Sequence, residues 1–269
     1  MTVSILSGLA IVFYLMGAGL VIRQLRSKRI DTRQFGRWIQ ACGAIALVLH
    51  SFSLHHSLLT PAGMDIGFFS ILSLVAWLAV ALLLVVTLQD DVVCLSVIVF
   101  PFAALALFLR LYYPQQYILA QSLTPGLDFH ILTSLLAYSL LSIAAVQAVL
   151  LYFQDNHLHN KHPGGFIRAL PPLESMEKLL FKHITLGFLV LTISLASGML
   201  YLEDMFAQHI VHKTILSIIA WIVFAVLLLG RWQFGWRGRV AIRWVLTGFV
   251  LLMLAYFGSK FVIELLLNR

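Results

Sequence analysis

Eight long apolar runs, separated by short polar stretches, organise the chain: about 3–23, 38–56, 67–88, 92–110, 127–152, 180–202, 212–231 and 241–264. Each is close to the roughly 20 residues that carry a helix across the hydrocarbon core of a bilayer. Hydrocarbon offers no partner to backbone N–H and C=O groups, so such runs must be helices. A membrane barrel would instead show segments of about ten residues alternating apolar and polar, a pattern not found here. The pattern therefore predicts an all-α fold, a polytopic membrane bundle of about eight transmembrane helices forming a single transmembrane domain over 1–269. Met1 leads directly into the first run, so a first span is expected rather than a cleaved signal peptide.

The longest polar interval is 153–179. Pro171 and Pro172 suit a helix start, because the proline ring pre-sets the first turn. Leu173, Met176, Leu179 and Leu180 then recur at helical spacing with Glu174, Glu177 and Lys178 between them, which predicts a short amphipathic helix at the membrane surface.

Composition agrees with the pattern. Hydrophobic residues make up 61% of the 269 and charged residues 11%, and mean hydropathy is +0.96, far from the balance of a soluble domain. The formal charge of +7 does not indicate nucleic-acid binding, because its distribution follows loops. The first, fifth and seventh loops hold 14 of the 18 Lys and Arg residues, among them Arg23, Arg29, Lys161, Arg168, Arg231 and Arg243; Arg110, Lys213, Lys260 and Arg269 fall elsewhere. By the positive-inside rule those loops face the cytoplasm, and with an even number of spans both termini are expected outside. The Gly235-Trp-Arg-Gly-Arg239 turn then lies at headgroup level, with membrane lipid phosphate as the default partner of Arg237 and Arg239.

Ionisable groups inside a membrane are costly and commonly mark functional paths. Cys42 and Cys94 fall within apolar runs and give neither zinc-site spacing nor a covalent haem-attachment motif. The histidines divide by depth. His50 lies about two-thirds along the second span, His130 in the first turn of the fifth and His183 in the first turn of the sixth. His55, His56, His209 and His212 border spans; His157, His159 and His162 fall in the polar interval, where solvation explains them better than a metal tract. A helical face runs from His130 through Ser134, Ala137, Tyr138, Leu141 and Ala145, and another from His183 through Gly187, Ser194, Gly198 and Tyr201. Small residues so spaced let helices approach closely and equally leave room for a flat ligand. Imidazole is a common axial ligand of haem iron. His50 and His130 have matching depth near the outer side; His183 lies near the other face, roughly 30 Å away. A histidine satisfied by a neighbouring serine or carbonyl is the competing reading for each.

Three segments resemble the cytochrome c assembly family. They are Thr124-Pro-Gly-Leu-Asp-Phe-His130 with Ser134 and Tyr138; Leu173 to Phe181 with His183, Gly187 and Gly198; and Lys213 to Trp221 with Gly235-Trp-Arg-Gly-Arg239 and Tyr256-Phe-Gly-Ser259. These cover most of a core at 120–260, and the similarity to the bacterial inner-membrane YpjD/HemX-type branch extends over the whole chain. The resemblance implies a bacterial inner-membrane location and one or two non-covalent haem b groups. It implies His130 and His50 as the two axial ligands of a bis-histidine haem near the outer side, His183 as an axial ligand at a second, cytoplasmic-side site, Tyr138 within the binding region, and haem propionates as further partners of Arg237 and Arg239. Relatives in the CcsA/CcmC group hand haem outward for attachment to apocytochrome c. This chain departs from them. Glu203 to His212 holds no tryptophan-rich loop, and Phe257-Gly-Ser-Lys260 runs on to Glu264 without a late histidine.

The resulting expectation is a non-enzymatic protein that holds, transports or senses haem, with cytochrome c maturation or haem-biosynthesis proteins as partners. The rival expectations are a membrane haem/quinone electron carrier and a regulatory scaffold in which the histidines only pack.

Overall fold

The computed structural model describes residues 2–26, 32–60, 63–90, 92–113, 118–120, 125–159, 170–201 and 211–261. Among them are eight helices long and apolar enough to cross a membrane, one for each apolar run. They are α1 (Thr2–Arg26), α2 (Thr32–Leu58), α3 (Phe68–Thr87), α4 (Ser96–Tyr112), α5 (Pro125–His159), α6 (Leu173–Tyr201), α7 (Val211–Phe234) and α8 (Gly238–Met253). A short 3₁₀ turn, Val93–Leu95, leads into α4, and a π-helical turn, Leu254–Gly258, extends α8. Large apolar side chains such as Val12, Leu15, Phe52, Leu132 and Leu229 are exposed along the helices. Outward apolar faces of this kind suit lipid and would be a liability in water.

The all-α expectation is met by the spans, with one addition. Three short strands, β1 (Leu59–Thr60), β2 (Gly63–Asp65) and β3 (Ile118–Ala120), form an antiparallel sheet in the order β1-β2-β3. The sheet lies between α2 and α3 in sequence and takes its third strand from the segment after α4. Asp65 ends β2 and ties it to the start of α3: one carboxylate oxygen accepts from the Gly67 N–H at 2.9 Å, the other from the Ser70 hydroxyl.

The polar interval after α5 is shorter than expected. α5 continues to His159, so His157 and His159 stand exposed on its last turn; His162 lies outside the described residues. Among the described residues no separate surface helix precedes α6. Leu173 opens one continuous helix, with Met176, Leu179 and Leu180 already buried, because their spacing stays in phase with the span that follows. Glu174 and Lys178 pair on its exposed side at 2.8 Å.

The residues group into two compact units, 1–121 with 156–172, and 122–155 with 173–269. In the first, α1 packs on α2 and α4, and α3 packs on α2 and α4. Its centre is Phe100, fully buried in a notch lined by Gly17 and Gly43. A Cβ on Gly43 would stand 2.6 Å from the Phe100 ring and one on Gly17 2.9 Å, so only glycine lets α1 and α2 close on this ring. In the second unit α7 packs on α6 and α8, and α5 and α6 are bound by hydrogen bonds at two levels.

Candidate functional site

The histidines expected to carry chemistry are distributed over both units: His50 belongs to the first, His130 and His183 to the second.

His50, on α2, is fully buried. Its Nδ1 is 3.2 Å from the Tyr14 hydroxyl of α1 and its Nε2 is 2.8 Å from the Ser73 hydroxyl of α3. Hydroxyls both donate and accept, so this pair satisfies either tautomer. One turn before Ser73, Ser70 connects to a second buried set. Its oxygen accepts from Arg110 Nε at 3.3 Å while its hydroxyl donates to Asp65. Arg110 is thus a buried residue of the first unit rather than a loop cation.

His130, in the first turns of α5, is held differently. Its Nδ1 lies 2.9 Å from the Ser194 carbonyl oxygen and 3.2 Å from the Ser197 hydroxyl, both on α6. A carbonyl only accepts, so Nδ1 carries the proton and Nε2 the lone pair. The Ser197 hydroxyl in turn donates to the same carbonyl at 2.8 Å. One turn along α5, Ser134 meets Ser194 hydroxyl to hydroxyl at 2.7 Å. Among the described residues, His130 Nε2 makes no hydrogen bond.

His183, buried on α6, reverses the arrangement. Its Nδ1 meets Gln147 Oε1 of α5 at 2.9 Å. The Gln147 amide nitrogen donates to the Met176 carbonyl at 2.9 Å, which fixes the amide so that its oxygen faces the imidazole. Nδ1 is again the donor and Nε2 holds the lone pair. Each of the two helices therefore contributes one histidine braced by an acceptor on the other. The levels are seventeen residues apart on α5, about 25 Å at 1.5 Å per residue.

An Nδ1–H given to a carbonyl or amide oxygen is the usual support of a metal-binding imidazole, since it sets the ring orientation and raises the basicity of Nε2. The donor set of the second unit fits an iron ligand at both levels. His50 fits less directly, because ligation through Nε2 requires the Ser73 hydroxyl to turn away. Among the described residues no three His, Cys, Asp or Glu side chains gather as an ion site.

The other expected residues are placed as follows. Tyr138 lies on the His130 face two turns on, its ring against Phe257 at 5.5 Å and Phe249 at 6.0 Å. Its hydroxyl is buried with no hydrogen-bond partner among the described residues. Gly187 serves close packing: a Cβ there would stand 2.7 Å from Leu141 of α5. Arg239 is bound to Asp155 at 2.7 Å, and Arg237 is exposed beside the turn that links α7 to α8. In that turn Gly238 N–H donates to Glu177 at 2.6 Å. His212 is exposed, and His209 lies outside the described residues. Cys42 and Cys94 are buried free thiols. Sequence reasoning missed Gln147, Tyr14, Ser73 and Arg110. Gln147 had a readable signal, since a lone amide within an apolar run needs an internal partner.

These features define the class: a polytopic membrane protein with two histidines, His130 and His183, that each give Nδ1–H to an oxygen of the facing helix. The chain belongs to the cytochrome c assembly protein family, whose model matches residues 38–267. It is 35% identical over 260 residues to the inner membrane protein YpjD of Escherichia coli (strain K12), covering 96% of this chain and 97% of that one. An uncharacterized 28.8 kDa protein of Azospirillum brasilense is 39% identical over 148 residues, 54% of this chain and 55% of that protein. The cytochrome c biogenesis protein CcsA of Synechococcus sp. (strain CC9605) is 26% identical over 173 residues, 54% of this chain and 57% of that one. No solved structure matches the chain.

Proposed function

We propose that this protein is a haem-handling protein of the bacterial inner membrane, binding non-covalent haem b through His130 and acting in cytochrome c maturation or haem homeostasis. The observation that carries the reading is the His130 tautomer. The Ser194 carbonyl takes the Nδ1 proton at 2.9 Å, so Nε2 offers a lone pair without any rearrangement of the helix pair. The name of the Escherichia coli relative places that protein in the inner membrane, and the eight apolar helices suit the same location here. With both termini outside, His130 lies toward the outer face and His183 toward the cytoplasm.

Haem would supply an iron centre with two axial positions. The chain supplies orientation. Ser194 and Ser197 hold the His130 ring, and Gln147 holds that of His183 at the other level. His50 would hold iron in its own unit only with the Ser73 hydroxyl turned from Nε2. Arg237 is exposed and accessible to a propionate or a lipid phosphate, whereas Arg239 must first release Asp155. The reading includes no catalytic residue.

Protein purified from haem-replete cells is expected to show a Soret band, with His130→Ala losing the larger part of the bound haem. Colourless wild-type protein, or a band unaffected by that substitution, overturns the reading. A second reading, an electron carrier, is favoured by one observation: two braced imidazoles near opposite ends of one helix pair. Reduction of bound haem by a quinol analogue, without transfer of haem to an apoprotein acceptor, selects it.

A further inference from the structure

Four arginines lie along the end of α7 and the start of α8, and two of them are already committed. Arg231 donates from Nη1 to the Trp236 carbonyl at 3.1 Å and lies over the Phe181 ring, 4.6 Å from its centroid. Arg239 is bound to Asp155 of α5 at 2.7 Å. Arg237 and Arg243 are exposed, and among the described residues neither makes a hydrogen bond or an ion pair. Glu174 lies within electrostatic reach of Arg237, but that carboxylate is bound to Lys178 at 2.8 Å. Glu177 is engaged as well, accepting from the Gly238 N–H at 2.6 Å.

Beside these cations stands a slab of aromatic rings. Phe234 stacks on Trp236 at 6.3 Å with 27° between the planes, and Trp236 on Trp244 at 5.5 Å with 30°. The backbone fixes the middle ring. Gly235 takes a φ of 65°, which favours glycine. The turn closes with Gly235 N–H to the Arg231 carbonyl at 3.1 Å and Trp236 N–H to the Gly230 carbonyl at 3.2 Å. A Cβ on Gly230 would collide with the Trp236 ring, so glycine there makes the seat. Arg237 follows Trp236 directly, and cation and slab therefore start from one rigid turn. Arg243 is placed differently: it comes one helical turn after Arg239, on the face that meets α5. Trp232 and Phe234 are 81% and 74% exposed at this span end, where aromatic rings sit at headgroup level.

We propose that the turn between α7 and α8 binds one anionic phospholipid, with Arg237 holding the phosphate and the Phe234–Trp236–Trp244 stack seating the glycerol and upper acyl chain. A guanidinium fork matches phosphate oxygens with two parallel charge-assisted hydrogen bonds. An inorganic anion would leave the exposed rings uncovered, whereas a phospholipid covers them and neutralises the cation together. A choline headgroup would bring a further cation to a turn that already has an excess of them. The site uses none of the histidines, so it stands apart from the haem reading and assigns Arg237 to lipid rather than to a propionate.

The test uses the full chain, stripped of lipid in a neutral detergent and mixed with equimolar phosphatidylglycerol and phosphatidylcholine of the same acyl chains. Native mass spectrometry counts the adducts retained. Wild-type protein is expected to retain phosphatidylglycerol about fivefold over phosphatidylcholine. Arg237→Gln is expected to bring the ratio near parity, whereas Arg243→Gln, which removes the same charge from another face, keeps it. Phe234→Ala is expected to lower retention of both lipids with the ratio unchanged; full retention there removes the stack from the site. Equal retention of the two lipids by wild-type protein overturns the proposal. An equal loss of preference in Arg237→Gln and Arg243→Gln also overturns it, because it marks a diffuse effect of charge. Displacement of phosphatidylglycerol by inorganic phosphate at equal concentration assigns the turn to a soluble anion instead. Displacement by haemin but not by haemin dimethyl ester assigns Arg237 to a propionate, and either result overturns the lipid site. Failure of the protein to bind haem overturns the haem reading alone.

Discussion

At the scale of the residue, a histidine's function here depends on what its second nitrogen touches. His130 and His183 each give Nδ1–H to an oxygen that only accepts, the Ser194 carbonyl and the Gln147 amide. His50 lies between two hydroxyls and has no fixed donor side. Position in the sequence made all three conspicuous, because an imidazole inside an apolar run is unusual. It could not rank them, since Ser194 is 64 residues from His130 and nothing local marks their meeting. Arg110 was not singled out for the same reason: its partner Ser70 is 40 residues away, and Asp65 joins the set through Ser70. The Gln147 brace gives a direct prediction. Gln147→Leu takes the acceptor from the His183 N–H in a buried place and removes the second hydrogen bond to the Met176 carbonyl, and is expected to cost about 1–2 kcal/mol in mixed micelles. Equilibrium unfolding followed by circular dichroism measures it; an unchanged midpoint would remove the brace from the account.

The spans were legible as elements because each had to supply about 20 consecutive apolar residues. Their ends were less so. α5 runs on to His159 and α6 begins at Leu173, since a helix stops where its backbone bonds stop and not where hydropathy falls. The small sheet of β1, β2 and β3 had no signal, as segments of two or three residues carry no periodicity. Close packing was legible only in outline. Glycines in spans suggested close approach, but the notch around Phe100 depends on Gly17 of α1 and Gly43 of α2 meeting a ring from α4. A side chain at Gly43 must displace that ring. Gly43→Leu is therefore expected to destabilise the first unit by about 1–3 kcal/mol, read as a lowered unfolding midpoint. Phe100→Ala in the same background should recover part of the loss by vacating the space. Failure of the pair to couple would show that the notch does not govern this packing.

At the scale of the whole molecule, the eight apolar helices and the family membership agree with the reading of the sequence. The grouping of the helices was not legible, because lipid-facing and helix-facing positions are both apolar and a hydropathy pattern does not say which spans touch. The structure therefore adds what the pattern lacked: α5 and α6 joined by reciprocal histidine braces. The account turns on His130 Nε2 as an iron ligand. Haemin titration of His130→Gly, with and without added imidazole, tests it most directly. The account predicts that the wild-type Soret band is lost in the variant and returns when imidazole fills the vacated place; a wild-type band in the variant without imidazole would contradict it.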